Sequence, residues 1–517
     1  MPVFAALLKS LPCRAKYMQN RTDTITNFDN FDQSNYVSYT ANSMDFQVNL
    51  IGRKNLSGEI YRQIRSAIGD GRLRPGDCLP ASRDLAQSLN VSRTTVTEAY
   101  DRLAGEGFVV SRIGAGTYVN QQLVRTLKEK NGRLAGSLQP RAVWDSITLS
   151  RAFTTPAQFD FRTGLPDASL FPHETWRRLV VRALRSEAVA GGVYAEPAGH
   201  RGLREAIARH IGVSRGVQVS ADDITITSGA QQSLDLVARA LLSPGDRVAV
   251  EDPGYHPPRF LFQSLGADVR GVPVDNEGIV VDQLPRNARL VYVTPSHQYP
   301  LGVTMSLPRR LALLDWAARV DAAIIEDDYD SEFRFAGRPV EPLHTIDASG
   351  RVIYIGSFSK TLLPALRLGF VATPPSCTLA VHKAKYVTDW HTSMVMQVAL
   401  AEFIDRGGFA RHIRKVRRVY TERHELITKT LNKDFADRLE VIPAVAGLHV
   451  AALARSASVD QISDVAVSAS ALGVQIQRLA KFAVDGPPRP GLLFGYGAIP
   501  TPRIHEGLAL LRSCFDD

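Results

Sequence analysis

A lysine that closes an apolar strand can do chemistry that a solvated lysine does poorly. Val352-Ile353-Tyr354-Ile355-Gly356-Ser357-Phe358-Ser359-Lys360 reads as a strand ending on an amine. A deprotonated amine condenses with an aldehyde to give a Schiff base. Partial burial and neighbouring cations push a lysine toward that form. Ser357 and Ser359 place hydroxyls beside it, and Arg367 follows in Leu366-Arg367-Leu368-Gly369-Phe370. A guanidinium fork next to hydroxyls suits a phosphate. A lone lysine is usually solvated surface, and it is these neighbours that argue otherwise.

Three further stretches supply matching chemistry. Ala323-Ile324-Ile325-Glu326-Asp327-Asp328-Tyr329 is a buried-type strand closing with acids. A carboxylate at a buried strand end needs a cationic partner, and a protonated pyridine nitrogen is one. In extended chain Tyr329 shares the face of Asp327, so its hydroxyl could bond a phenolic oxygen on the same ring. Val248 to Tyr255 is a strand ending in a Pro-Gly turn. Tyr255 could stack on a flat heteroaromatic ring, although taken alone it reads more readily as a core or turn tyrosine. Ile224-Thr225-Ile226-Thr227 runs into Ser228-Gly229-Ala230-Gln231 and then a helix with Leu234, Val237 and Leu241 inward. Small residues at such a turn leave the N–H groups of Gly229, Ala230 and Gln231 to cradle a phosphate, a weak signal by itself. An aldehyde trap, a pyridinium partner, a ring stacker and a phosphate nest are together what pyridoxal 5'-phosphate requires.

These groups need a scaffold. From about Phe159, β-rich apolar runs alternate with helical patterns, as in an α/β domain with a mostly parallel sheet, expected over 156–517. The chain has 517 residues, too many for one core. Residues 121–155 are polar and aperiodic, as in a linker, and 45–120 form a small patterned domain. Residues 1–43, rich in Asn, Asp, Thr and Ser, read as a disordered extension or as a mis-called start ahead of Met44. No apolar run approaches the length of a membrane span. Cys13, Cys78, Cys377 and Cys514 form no CxxC pair. That speaks against a zinc site or a disulfide scaffold; no metal is expected, and a reducing cytoplasm is. The net charge of +9 is compatible with nucleic-acid binding and with much else.

In the small domain, Leu56 to Asp70 is helical, with Ile60, Ile64, Ala67 and Ile68 on one face. Ser82 is the expected cap of a second helix carrying Leu85, Ala86 and Leu89. After a break at Asn90-Val91, Ser92 caps a third helix, with Val96, Ala99, Tyr100 and Leu103 inward. Two short helices across a tight break suggest a helix-turn-helix, or a helical hairpin for protein contacts. In the first reading Arg93, Thr94, Thr95 and Thr97 enter the major groove, and Arg83 meets backbone phosphate. Phe108-Val109-Val110, Gly114-Ala115-Gly116 and Thr117-Tyr118-Val119 form a hairpin wing with Arg112 near its tip.

The string from Ile60 to Val119, with LPASRDLA, VSRTTV and AYDRL, resembles the GntR-type winged helix-turn-helix. By that resemblance Arg83, Arg93, Gly114 and Gly116 fall on positions used at DNA. Residues 159–515, through SGAQQSLDL, VEDPGY, TPSHQYPLG, EDDYDSEFR and YIGSFSKTLLPALRLG, resemble fold-type I aminotransferases. More narrowly, the whole resembles the MocR/GabR-type regulators. That resemblance implies an aldimine on Lys360, Asp327 on the pyridinium, Tyr329 on the ring oxygen, Tyr255 stacked and Arg367 on phosphate. It makes Tyr194 a residue that reaches a neighbouring subunit's cofactor phosphate, hence a homodimer, expected head-to-tail. Pro300-Leu301-Gly302 departs from the usual Pro-Thr-Gly, and Pro257-Pro258 stiffens the loop after Tyr255. Arg259 and Arg478 are candidate effector anchors. The expectation is a double-stranded-DNA-binding regulator that senses an amine or amino acid through pyridoxal phosphate. The alternatives are an aminotransferase with a DNA-binding domain attached, and a regulator that senses pyridoxal phosphate itself.

Overall fold

The computed structural model describes residues 36–41, 44–50, 55–112, 116–120, 138–147, 157–337 and 340–515. The chain folds as two compact units, Met1–Gln139 and Pro140–Asp517.

In the first unit, β1 (Tyr36–Ala41) pairs antiparallel with β2 (Met44–Asn49). The aperiodic extension expected over 1–43 is therefore a strand from Tyr36 to Ala41, closed by ladder hydrogen bonds that no periodicity announces; the rest of it lies outside the described residues. Helices α1 (Leu56–Gly69), α2 (Ser82–Ser88) and α3 (Arg93–Gly105) follow, then the hairpin β3 (Val109–Arg112) and β4 (Gly116–Val119). Ile60, Ile64, Leu85, Val96, Leu103, Val109 and Val119 meet in one core. Each such side chain contributes roughly 1.5–3 kcal/mol by leaving water. Ser92 does cap α3, accepting from Thr95 N. Ser82 does not cap α2; Ala81 holds that place with no side-chain bond, and Ser82 is the first helical residue. Cys78 is disulfide-bonded, which the sequence reading did not expect, while Cys377 is a free thiol.

The second unit is built on an eight-stranded sheet. Its strands are β5 (Ile224–Thr227), β6 (Arg247–Asp252), β7 (Asp268–Asp275), β8 (Gly278–Ile279), β9 (Ala288–Val293), β10 (Ala323–Asp328), β11 (Val352–Ser357) and β12 (Gly369–Ala372). Their order is β5-β12-β11-β10-β9-β6-β7-β8. Neighbours from β11 to β7 pair parallel, whereas β12 runs antiparallel to both its neighbours and β8 is antiparallel to β7. Helices cover both faces. Leu234, Val237 and Phe262 pack on one, and Leu313, Trp316 and Ala317 on the other. Two-sided burial is why these strands read as continuous apolar runs rather than alternating ones. A smaller sheet, β13 (Leu439–Val441), β14 (His449–Ala454), β15 (Gln477–Arg478) and β16 (Gly491–Gly495), has the order β13-β14-β16-β15. Val450, Phe494, Val416, Tyr420, Ile462 and Leu508 share its core. Among the described residues no helix is long and apolar enough to cross a membrane.

Candidate functional site

In a sheet wrapped by crossover helices, ligands bind beyond the carboxyl ends of the parallel strands. Here Asp327 and Asp328 lie at the carboxyl end of β10, Ser357 ends β11, and Thr227 ends β5. Register ties them together: Asp328 lies opposite Gly356, Ser357 opposite Gly369, and Gly369 opposite Thr227.

Asp327 is buried; one carboxylate oxygen accepts from the Tyr292 hydroxyl at 2.7 Å, while the other, Oδ1, has no partner. Burial pushes its carboxyl up to about 7, opposed by the Tyr292 hydrogen bond and Lys360 and reinforced by Asp328 and Asp330. A buried carboxylate oxygen without a donor is costly. It is the feature expected where a ring N–H belongs. Lys360, just beyond β11, donates from Nζ to the Gly164 carbonyl at 2.6 Å. Burial moves its pKa down, Asp330 and Asp327 oppose, and Arg367 adds to the lowering. Gly164 has φ +79, a conformation that strains other residues, and a Cβ there would press on Lys360 Nζ at 3.0 Å.

Arg367 turns back at φ 49 and donates from Nη2 to the Ser228 carbonyl at 2.6 Å. Gly229, at φ +93, caps α4 (Ala230–Leu241); its missing Cβ would meet Arg367 Nη2 at 3.0 Å. Arg367 and the opening turn of α4, with Ala230 and Gln231, thus form a basic, N–H-lined concavity. Gln231 is exposed and donates toward Pro257 O at 3.4 Å. Ser359 N donates to Ser357 Oγ at 3.2 Å, so one hydroxyl of that flank already braces the loop.

Tyr255, 39% exposed as a whole residue, sits where β6 enters α5 (His256–Ser264); desolvation at its hydroxyl end raises that group to about 12, with Asp327 adding to the rise and Arg367 opposing it. Its ring meets Tyr299 edge-on at 5.5 Å. Tyr329 lies just past β10, and its hydroxyl donates to the His297 carbonyl at 2.9 Å and contacts His297 Nδ1 at 3.0 Å. His297 Nδ1 also meets buried Asp330 at 3.0 Å, and its Nε2 has no partner. Donor atoms of His297, Asp330 and His449 lie within 4.8 Å of one another. No cysteine spacing or His-x-x-His pattern announced that set.

Sequence reasoning missed several supporting groups. Tyr292 was legible, since a hydroxyl inside an apolar strand must find a partner. Glu251 is fully buried, accepts from Thr294 Oγ1 at 2.6 Å, and is pushed up to about 7, chiefly by burial. Lys385, on α6 (Pro375–Thr388), is wholly buried; its Nζ donates to Gln232 Oε1 at 2.8 Å and Thr392 Oγ1 at 3.1 Å and pairs with Asp389 at 2.7 Å. Gln232 Oε1 in turn accepts from Ser228 N at 2.8 Å. The lysine therefore braces the turn that forms the concavity.

Other expected residues stand apart. Tyr194 is 75% exposed and stacks on Trp390 at 4.7 Å. Arg259 donates to Val484 O at 3.2 Å. Arg478 bonds Ser463 on the helix Val459–Ala471. In the first unit Arg83, Arg93 and Thr94 are exposed. Thr95 and Thr97 are occupied locally, Thr95 Oγ1 with Ser92 Oγ at 2.8 Å and Thr97 Oγ1 with Arg93 O at 3.0 Å. Arg112 lies over Tyr118 at 5.2 Å, Gly116 has φ 112, and Gly114 lies outside the described residues.

Residues 56–119 match the family described as bacterial regulatory proteins, gntR family, and residues 166–491 match aminotransferase class I and II. The chain is 37% identical over 461 residues to the probable rhizopine catabolism regulatory protein MocR of Rhizobium meliloti, covering 88% of this chain and 93% of that protein. It is 32% identical over 441 residues to the pyridoxine biosynthesis transcriptional regulator PdxR of Corynebacterium glutamicum, covering 85% and 91%. Among solved structures, kynurenine aminotransferase of Pyrococcus horikoshii in complex with PMP matches with TM-score 0.64 at 29% identity, covering 70% of this chain and 92% of that one. The chain therefore belongs to the MocR-type transcriptional regulators, in which a gntR-family DNA-binding domain is joined to an aminotransferase class I and II domain.

Proposed function

We propose that the second unit holds pyridoxal phosphate on Lys360 and that a primary amine, an amino acid foremost, is the effector to which the DNA-binding unit responds. The observation that carries this is the unpartnered Oδ1 of buried Asp327, close enough to Lys360 for the lysine to lower its pKa. When bound, the cofactor supplies an aldehyde open to exchange between amines. The chain supplies the rest. Asp327 holds a proton or a positive ring nitrogen. Lys360 is shifted toward its neutral, nucleophilic form. Arg367 and the start of α4 hold a phosphate. Tyr329, whose hydroxyl proton now goes to the His297 carbonyl, would turn it to the ring oxygen, and Tyr255 flanks the ring. Arg259, one turn beyond Tyr255, is the nearer candidate for an effector's carboxylate, since Arg478 must first leave Ser463. Tyr194, exposed beside Trp390, is assigned to the neighbouring subunit's phosphate in a homodimer. Arg83, Arg93 and Thr94 are assigned to double-stranded DNA, with Arg112 and Gly116 on the wing.

The test is the visible absorption spectrum of wild type and Lys360→Ala, each with added pyridoxal phosphate. A new band in wild type, absent from the variant, is the expected result; a flat spectrum in both removes the cofactor from this reading. An amine screen read by spectrum and DNA binding then finds the effector. Repeated release of keto acid would make the protein an aminotransferase instead. DNA affinity that follows the cofactor with no amine present would make the cofactor itself the signal.

A further inference from the structure

The long helix α7 (Gly408–Asp434) carries Arg411, Arg414, Lys415, Arg417 and Arg418 on its outer side. All five are exposed, while His412, Val416 and Tyr420 turn inward. Several exposed arginines on other helices of this unit are answered by carboxylates, Arg177 by Glu174, Arg201 by Glu205, Arg209 by Asp405 and Arg239 by Asp235, whereas Arg178 and Arg319 stand singly without one among the described residues. Among the described residues no carboxylate oxygen lies within 4.0 Å of any of these five cations. Glu422 and Glu425, farther along the same helix, are exposed and do not reach back. A neighbouring cleft is lined by Arg417, Arg334 and His210, together with Glu332 and with Arg215, which pairs with Asp328.

Five like charges without a carboxylate partner over two turns repel one another, and among them Arg411 alone gains a hydrogen bond that the structure shows, to the Arg406 carbonyl at 3.2 Å. Arg411, Arg414, Lys415 and Arg418 follow the i, i+3, i+4, i+7 pattern and form one stripe, about 10 Å long at the helical rise. A nucleic-acid strand presents a phosphate about every 3.4 Å of axis, so such a stripe spans about three. Arginine forks match phosphate oxygens, and four of the five are arginines. The polyanion at hand is duplex DNA, because the same chain carries a gntR-family reader. Tethering makes even a weak second contact effective.

We propose that this face of α7 is a second, sequence-independent DNA surface that takes the phosphate backbone of duplex outside the stretch read by α3. The inference does not depend on the cofactor.

The experiment compares full-length wild type with Arg414→Gln/Lys415→Gln/Arg417→Gln/Arg418→Gln. The DNAs are a short duplex, just long enough for the reader, and a long duplex containing it, titrated over a range of KCl. Wild type should prefer the long duplex. In the variant that preference should fall roughly tenfold or more at low salt, and the salt slope on the long duplex by about 2–4, at ~0.9 per phosphate contact. Lysine at all four positions should keep the slope. Arg83→Ala/Arg93→Ala should weaken both duplexes alike and leave the length preference. An unchanged preference and slope in a variant with wild-type thermal unfolding overturns the proposal. So does an equal loss on both duplexes. Loss of binding to phosphatidylserine vesicles with DNA binding intact also overturns it, and gives the face to a lipid surface.

Discussion

At the scale of single residues, the sheet's carboxyl edge is electrostatically unfinished. Asp327 and Glu251 are buried acids, each pushed up to about 7, chiefly by burial, and each with an oxygen lacking a donor. An acid whose pKa is higher folded than unfolded binds more protons in the folded state. Its contribution to stability is complete below the unfolded value near 3.9–4.3 and is lost as pH rises through about 7. The cofactor-free protein should therefore melt at lower temperature at pH 8 than at pH 6, by an amount that Asp327→Asn reduces. Half-buried His424, lowered to about 4 mainly by desolvation, acts in the opposite sense as pH falls below 6.5. Comparing wild type with Asp327→Asn at each pH cancels it, and parallel melting curves for the two proteins would refute the assignment. With pyridoxal phosphate present, the same substitution should raise the cofactor's dissociation constant at least about tenfold, near 1.4 kcal/mol, as measured by spectral titration. Lys360 and Asp327 were legible because a charge closing an apolar strand violates the pattern around it. Gly164 was not, because nothing in a glycine's local sequence tells which distant amine will need its carbonyl.

At the scale of elements, two helix starts do the positioning. The first turn of α3 carries Arg93 and Thr94 and is held by the Ser92 cap. Ser92→Ala should cost about 1 kcal/mol of local stability and loosen that turn. Faster amide exchange at Thr95 and weaker DNA binding are the readouts. The first turn of α4 is braced from behind by Lys385 through Gln232. Lys385→Met should leave Gln232 and Asp389 without their cation and weaken binding of pyridoxal phosphate more than that of pyridoxal, which lacks the phosphate. Equal weakening of both would point to general unfolding of the turn. The elements themselves followed from periodicity: α1 and α3 match the expected helices and their inward faces, and the strands under Asp327 and Lys360 are where the apolar runs put them. The failures were at edges. Ser82 has the right chemistry for a cap but is already helical, and β1 arises from pairing with its neighbour rather than from a pattern of its own.

At the scale of the molecule, five of the exposed large apolar residues fall near one another in the second unit. Val193 and Tyr194 are 80% and 75% exposed, Tyr194 stacks on Trp390, and Tyr386 and Val387 lie on the helix that carries Lys385. Exposed apolar clusters of this kind mark association surfaces. A second copy of the chain is the proposed partner, and Val387→Glu should shift wild-type dimer toward monomer in sedimentation equilibrium while lowering cofactor affinity. Monomeric wild type would refute this. The chain divides between Gln139 and Pro140, inside the stretch read as a linker; the homodimer was expected from the resemblance at Tyr194, not from these apolar side chains, which in sequence could equally have been core.

The carbonyl of Gly164 gives the Lys360 amine a place to rest when it is bonded to nothing else. Under the proposed reading, an amine that takes the lysine's position leaves no stranded donor behind, and when that amine departs the lysine returns from a defined starting point. Resetting, on that reading, is the return of one side chain to a hydrogen bond that already waits for it.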